Sequence, residues 1–225
     1  MSFNPRMPTL SVPIQKPKNS VQLIKPFGPI LAKTTMPQTL IDELNEFCDS
    51  TIARKSLNAE LNAGPGLAGN VTQEIKLSKE LLKNGAFLNF LSTSVQSWLG
   101  QATGKKTTEV NLLGSWIVRQ FQHEYNPIHT HTGHISGVGY LKVPSDLGDY
   151  YQKGKSANNN GKIEFVHGSR NFLCSGSHLI KPQVGDFYLF PNYLFHTVYP
   201  FLSNEERRSV SFNAFIDDDL YNSAS

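Results

Sequence analysis

Apolar residues recur at helical spacing in two stretches of the N-terminal half, and the period shortens to two residues after Thr107. Pro37 opens the first stretch. Leu40, Ile41, Leu44, Phe47 and Cys48 fall on one helical stripe, with Asp42 and Glu46 on the opposite side. A second helix is predicted from about Lys79 to Trp98, carrying Leu81, Leu82, Phe87, Leu88, Phe90, Leu91, Val95 and Leu99 on its apolar side, with Gly100 placed to end it. The loop Gly64–Gly69 separates the two. Short strands are predicted at 21–24 and 29–32. They are predicted again along Val110, Leu112, Trp116, Val118 and Phe121, then at 135–143, 163–165, 179–181, 187–190, 198–201 and 209–215. Small residues at Gly137 and Gly139 imply close packing against that strand. Short strands with Gly, Pro and Asn turns and no intervening helices indicate a sandwich or jelly roll, a helical layer lying over an antiparallel barrel of about eight strands.

This pattern divides the chain into a flexible arm, 1–19, and a single domain, 20–225. Within the domain, 20–105 form the strand and helical layer, 106–217 the jelly-roll core and 218–225 a tail. The polar segment 146–161 is either a lid or a passive connection.

Composition narrows the function. Of 225 residues, 14 are Phe and 8 Tyr, an excess that suits strands. The net charge of +3 comes without a dense Lys/Arg block, so nucleic-acid binding has no electrostatic signature. No apolar run approaches the roughly 20 residues of a membrane span, and residues 1–18 lack an apolar signal core. Cys48 and Cys174 match no metal or redox spacing, which fits reduced thiols in a cytoplasm.

The chemistry concentrates in two places. Four of the seven histidines lie at His129, His131, His134 and His196, at predicted strand ends. His129 and His131, one residue apart, share a strand face. His196 lies 65 residues beyond His131 (196 − 131), room for several antiparallel strands. A jelly roll brings such distant strands together, and three imidazoles suit a divalent first-row metal. His134 is either a further ligand or a pocket wall. Glu124, just before the motif, is a candidate carboxylate ligand. Further on, Arg207, Ser209, Ser211 and Asn213 alternate onto one face of a strand and Arg208, Val210 and Phe212 onto the other. A guanidinium followed by hydroxyls suits a carboxylate. The competing reading is an edge arginine paired with Glu205 or Glu206. Trp116, Gln120 and Gln122 precede the metal motif as candidate pocket walls.

These residues carry a resemblance. Asn126-Pro127-Ile128-His129-Thr130-His131-Thr132-Gly133, the run 136–144, Gly185–Pro191, the run 194–198 with Pro200, and Glu206-Arg207-Arg208-Ser209-Val210-Ser211-Phe212-Asn213 resemble, in order and spacing, the Fe(II)- and 2-oxoglutarate-dependent oxygenases. The likeness is to a family common in bacteria and phages and related to prolyl hydroxylases. It implies a double-stranded β-helix, with Fe(II) and 2-oxoglutarate as cofactors and ascorbate as a candidate addition. It implies His129, His131 and His196 as catalytic metal ligands, Arg207 with Ser209 as the grip on the distal carboxylate of 2-oxoglutarate, and Tyr140 as a further contact there. The implied reaction is hydroxylation of a peptide or small molecule in the cytoplasm (the host's, if phage-encoded). His131 stands where the wider superfamily places Asp or Glu. Two other readings stay open: a three-histidine cupin-type metalloenzyme without 2-oxoglutarate, and a non-catalytic jelly-roll binding or structural module.

Overall fold

The computed structural model describes residues 10–11, 20–24, 28–54, 61–149, 157–172 and 174–223. In chain order the elements are β1 (Leu10–Ser11), β2 (Gln22–Ile24), β3 (Leu31–Thr35), α1 (Gln38–Ala53), β4 (Gln73–Lys76), α2 (Lys79–Lys83), α3 (Ala86–Thr103), β5 (Val110–Gln120), β6 (Asn126–His129), β7 (Ile135–Lys142), β8 (Ile163–Val166), β9 (Ser177–Ile180), β10 (Asp186–Pro191), β11 (Phe195–Val198), β12 (Arg207–Ile216) and α4 (Asp218–Ser223), with a 3₁₀ turn at Gly64–Gly66. A large sheet runs β1-β5-β12-β7-β10-β3-β2, with β4 also paired to β5, and a smaller sheet runs β6-β11-β8-β9. The eight strands β5–β12 divide between these two antiparallel sheets. They form the double-stranded β-helix, and the helices cover the outer face of the large sheet.

The core follows from strand alternation. On β12, Val210, Phe212 and Ala214 enter the cluster shared with α1 and α3. Tyr140, Phe165, Tyr188 and Phe190 fill the space between the sheets. Gly137 is where close approach is required: a Cβ there would stand 2.5 Å from Phe212 Cε1 and 2.8 Å from the Tyr188 carbonyl oxygen.

Several expected elements take a different form. The single helix expected at 79–98 is two, because Gly85 adopts φ 81° and breaks the ladder between α2 and α3. Ser78 caps α2, its hydroxyl accepting from the Leu81 N–H. Gly100 lies inside α3, and the left-handed terminator is Gly104, φ 72°. The strand expected at 198–201 is β11, ending at Val198. The one expected at 179–181 is β9, ending at Ile180. Of the expected arm, Leu10–Ser11 pairs with Leu112 and Asn111 of β5, and the rest lies outside the described residues. The expected tail carries α4, whose Leu220 enters the core. The reading of 146–161 as a lid or connection falls largely outside the described residues. No helix among the described residues is long and apolar enough to cross a membrane.

Candidate metal centre and anion pocket

Two antiparallel strands deliver the first two histidines. His129 ends β6 and pairs directly with His196 of β11, so both imidazoles project from the same face of the smaller sheet. His131 lies just beyond β6 rather than on it. Its backbone is clasped by Asn192, whose carbonyl accepts the His131 N–H at 3.0 Å and whose side-chain amide donates to the His131 carbonyl at 3.3 Å. The shared strand face expected for the pair is thus replaced by a strand end and a clasped loop. The outcome is still convergence: one nitrogen from each of His129, His131 and His196 lies within 4.8 Å of the others.

The ring orientations are held from behind. His129 Nδ1 lies 2.7 Å from the Pro127 carbonyl oxygen, and His196 Nδ1 lies 3.0 Å from that of Leu194. Each contact leaves Nε2 facing the cluster. The Asn213 side chain supports His131, and the Trp116 ring stacks on it with centroids 6.1 Å apart. Burial pushes all three imidazoles below their ordinary value, His131 to about 4 and His196 to about 3, with mutual repulsion adding to it at those two. All three are therefore neutral at pH 7 and keep the lone pairs a metal needs. His131 Nε2 and His196 Nε2 stand 3.0 Å apart. Two nitrogens bound at a right angle to one ion, each about 2.1 Å from it, would be separated by about 3.0 Å. The donor set fits a divalent cation.

The anion pocket opens beside it. A cavity of about 200 Å³ is lined by the three histidines and by Arg207, Ser209, Ser211 and Asn213 of β12. Arg207 is 2% exposed. Its Nη1 donates to Gln120 Oε1 at 3.0 Å, while Nε and Nη2 have no hydrogen-bond partner among the described residues. The guanidinium stands 5.0 Å from the centre of the Tyr140 ring, and burial pulls its affinity for a proton down, with Tyr140 opposing. The Tyr140 hydroxyl is buried beside the guanidinium and interacts with it electrostatically, without a partner in strict hydrogen-bond geometry among the described residues. It belongs to the core packed behind Arg207 and does not line the cavity. Buried donors without protein acceptors are what a carboxylate would complete.

The competing reading of Arg207 fails on geometry. Glu206 is forked by Arg208 (Nε–Oε1 2.7 Å, Nη2–Oε2 3.0 Å) and by Arg119 (Nε–Oε1 2.7 Å, Nη2–Oε2 3.1 Å). Glu205 accepts from Ser145. Neither carboxylate reaches Arg207. Glu124 is occupied too, accepting from the Thr72 hydroxyl and from the Phe121 N–H at 2.8 Å, so it is no metal ligand. His134 stands apart from the cluster: its Nδ1 meets the Ile216 backbone and its ring stacks on Tyr221 at 3.9 Å. Gln122 bonds the Leu202 carbonyl on the surface and does not line this cavity. Missed from the sequence was Glu74 on β4, a buried carboxylate on the cavity wall.

A jelly roll holding three converged imidazoles beside a desolvated guanidinium presents a candidate metal centre next to a candidate carboxylate pocket. Residues 114–213, which span both, match the family described as "Putative 2OG-Fe(II) oxygenase". Over that segment the chain is similar to the 2OG-Fe(II) oxygenases, enzymes whose cofactors are Fe(II) and 2-oxoglutarate. No curated protein matches the sequence. Solved structures of similar fold include a Pseudomonas putida prolyl-4-hydroxylase (16% identity, 81% of this chain and 91% of that one, TM-score 0.51). A second is a Trichoplax adhaerens prolyl hydroxylase in complex with a hypoxia inducible factor peptide fragment (12%, 92% and 88%, 0.51). A third is HygX from Streptomyces hygroscopicus with nickel, 2-oxoglutarate and hygromycin B bound (11%, 81% and 81%, 0.52).

Proposed function

We propose that this chain hydroxylates a peptide or small molecule at the expense of 2-oxoglutarate, releasing succinate and CO2. The observation that carries the reading is the opening of one cavity onto both the histidine cluster and an arginine without a protein anion. In this reading His129, His131 and His196 hold the metal, and Arg207 with Ser209 grips the distal carboxylate of 2-oxoglutarate. Bound there, Fe(II) would activate dioxygen, the oxidant; one oxygen atom would go to the substrate C–H bond and the other to the succinate formed as 2-oxoglutarate loses CO2.

The protein's own contribution is positional and electrostatic. The carbonyls of Pro127 and Leu194 orient two imidazoles before any metal arrives. Gln120 aims the Arg207 fork. Trp116, Val118 and Phe190 give the cavity apolar walls that displace water from around the reacting groups. Three neutral imidazoles leave the full charge of a divalent ion unreduced, which favours an anionic co-substrate. A peptide or small-molecule substrate accords with the ligands named for the Trichoplax and Streptomyces proteins of similar fold.

The test is direct. Purified protein with Fe(II), ascorbate and 2-oxoglutarate should form succinate slowly without added substrate, and Arg207→Ala should abolish it. Metal binding with no effect of 2-oxoglutarate on succinate formation or thermal stability would defeat the reading.

A further inference from the structure

The cavity has a second pole, which the proposed chemistry leaves unused. Glu74 projects from β4 beside Val118 of β5 and is 4% exposed. Among the described residues its carboxylate has neither a hydrogen-bond donor nor a cationic partner. Burial alone pushes it up to about 7. Asn126, at the start of β6, presents a buried Oδ1 that is likewise without a donor. Both residues line the cavity that holds the histidine cluster. The two oxygens converge in front of Gly69: a Cβ placed on that residue would stand 2.7 Å from Glu74 Oε1 and 2.7 Å from Asn126 Oδ1. The missing side chain keeps both acceptors open to the cavity. Two desolvated acceptors with no donor are a costly arrangement for a wall that merely encloses space.

Among the described residues Arg207 is the only Lys or Arg lining the cavity, and the proposed co-substrate occupies it. No described protein cation is left to satisfy Glu74, which points to a group from outside the protein. It must bring donors, and a positive charge recovers most of what desolvation of a carboxylate costs. Resting on the oxygenase reading above, we infer that Glu74 and Asn126 form the recognition pole for the prime substrate, and that this substrate carries a cationic nitrogen, a primary ammonium or a guanidinium. The cavity then sorts its two ligands by charge. The carboxylate of the co-substrate goes to Arg207, the cation of the substrate goes to Glu74, and the carbon to be oxidised is held between them, facing the histidines.

The experiment uses protein loaded with Mn(II) and N-oxalylglycine and three probes of one skeleton: n-pentylammonium, 1-pentanol and pentanoate. Calorimetry should show n-pentylammonium binding at least about tenfold more tightly than 1-pentanol, the factor that about 1.4 kcal/mol represents, with pentanoate weakest. Glu74→Gln, which keeps the shape and removes the charge, should bring n-pentylammonium to the level of 1-pentanol. Equal binding of the neutral or anionic probe, failure of n-pentylammonium to bind, or undiminished binding in Glu74→Gln would overturn the inference. The thermal shift given by N-oxalylglycine separates the two levels. Retained in wild type and Glu74→Gln while the probes fail, it leaves the oxygenase reading standing and rejects only this inference. Its absence in wild type would reject the reading beneath.

Discussion

Replacing Arg207 by Met should leave the ligand-free protein about as stable as wild type yet weaken co-substrate binding sharply. Arg207 is 2% exposed, and among the described residues the one hydrogen bond its guanidinium donates is to Gln120. Met retains much of the apolar stem while removing a desolvated charge that has no ion-pair partner among the described residues. The losses are one hydrogen bond, about 1 kcal/mol, and some packing. The gain is relief of the desolvation of a buried cation, of similar size. The ligand-free variant should therefore unfold within about 1 kcal/mol of wild type, read as the urea midpoint at unchanged slope. For 2-oxoglutarate the account is one-sided. A bidentate grip is two charge-assisted hydrogen bonds at about 1.5–3 kcal/mol each. Their loss amounts to about 3–6 kcal/mol, a weakening of about 10²–10⁴-fold in Kd for N-oxalylglycine measured with Mn(II). A variant destabilised by several kcal/mol with little change in Kd would refute the reasoning, because Arg207 would then be a structural residue.

Two further predictions follow from the electrostatics. His131 and His196 stay neutral in the metal-free fold far below the ordinary histidine value. The unfolded chain takes up protons there as pH falls below about 6.5, so stability drops by about 1.4 kcal/mol per histidine at pH 5.5. Glu74 acts with the opposite sign. Raised to about 7, it is protonated when folded and ionised when unfolded, and so adds about 2 kcal/mol over the same interval. In EDTA the wild type should therefore change little between pH 7.5 and 5.5, while Glu74→Gln loses about 3 kcal/mol. Parallel pH profiles for the two in chemical denaturation would contradict this account. Separately, Glu206→Gln removes the carboxylate shared by Arg119 and Arg208, the latter with a side chain 0% exposed. Unfolding free energy should fall by about 3 kcal/mol, because a buried guanidinium then keeps Asp49 and Asn45 alone among the described residues. A loss below about 1 kcal/mol in urea titrations would show the network to be marginal.

What could be seen in the sequence was whatever alternation or a rare residue type exposed. The period of two along Arg207–Asn213 assigned every side chain of that run to the face it occupies, because both faces are buried by different neighbours. The histidines stood out by rarity, and the antiparallel jelly roll supplied the reason they could meet. The break at Gly85 was hidden because apolar residues continue at helical spacing on both sides of it, and periodicity is blind to one left-handed residue. Gly100 misled for the converse reason: its Cβ position meets nothing closer than 3.8 Å, so the helix passes through it undisturbed. Strand β4 escaped notice because it is four residues long and three of the four are polar. A lone Glu in such a segment reads as solvated surface. Only the strand pairing with β5 reveals that it faces inward.

The adjacent arginines show how structure and function share one strand here. Arg207 and Arg208 differ in chemistry only through the face on which each falls. Arg208 is saturated by Glu206, Asp49 and Asn45, and through the latter two it ties α1 to β12. Arg207 meets a single protein acceptor among the described residues and is left for a ligand. A slip of one residue in β12 would exchange the two, placing the saturated network in the cavity and the anion grip under the helix. Glu206 opposes that slip, since its carboxylate bridges Arg119 of β5 to Arg208 of β12 across the pairing of those strands. The ion-pair network on the outer face thus sets the register that presents Arg207 to the cavity. It belongs to the binding site in effect, although none of its carboxylates touches it.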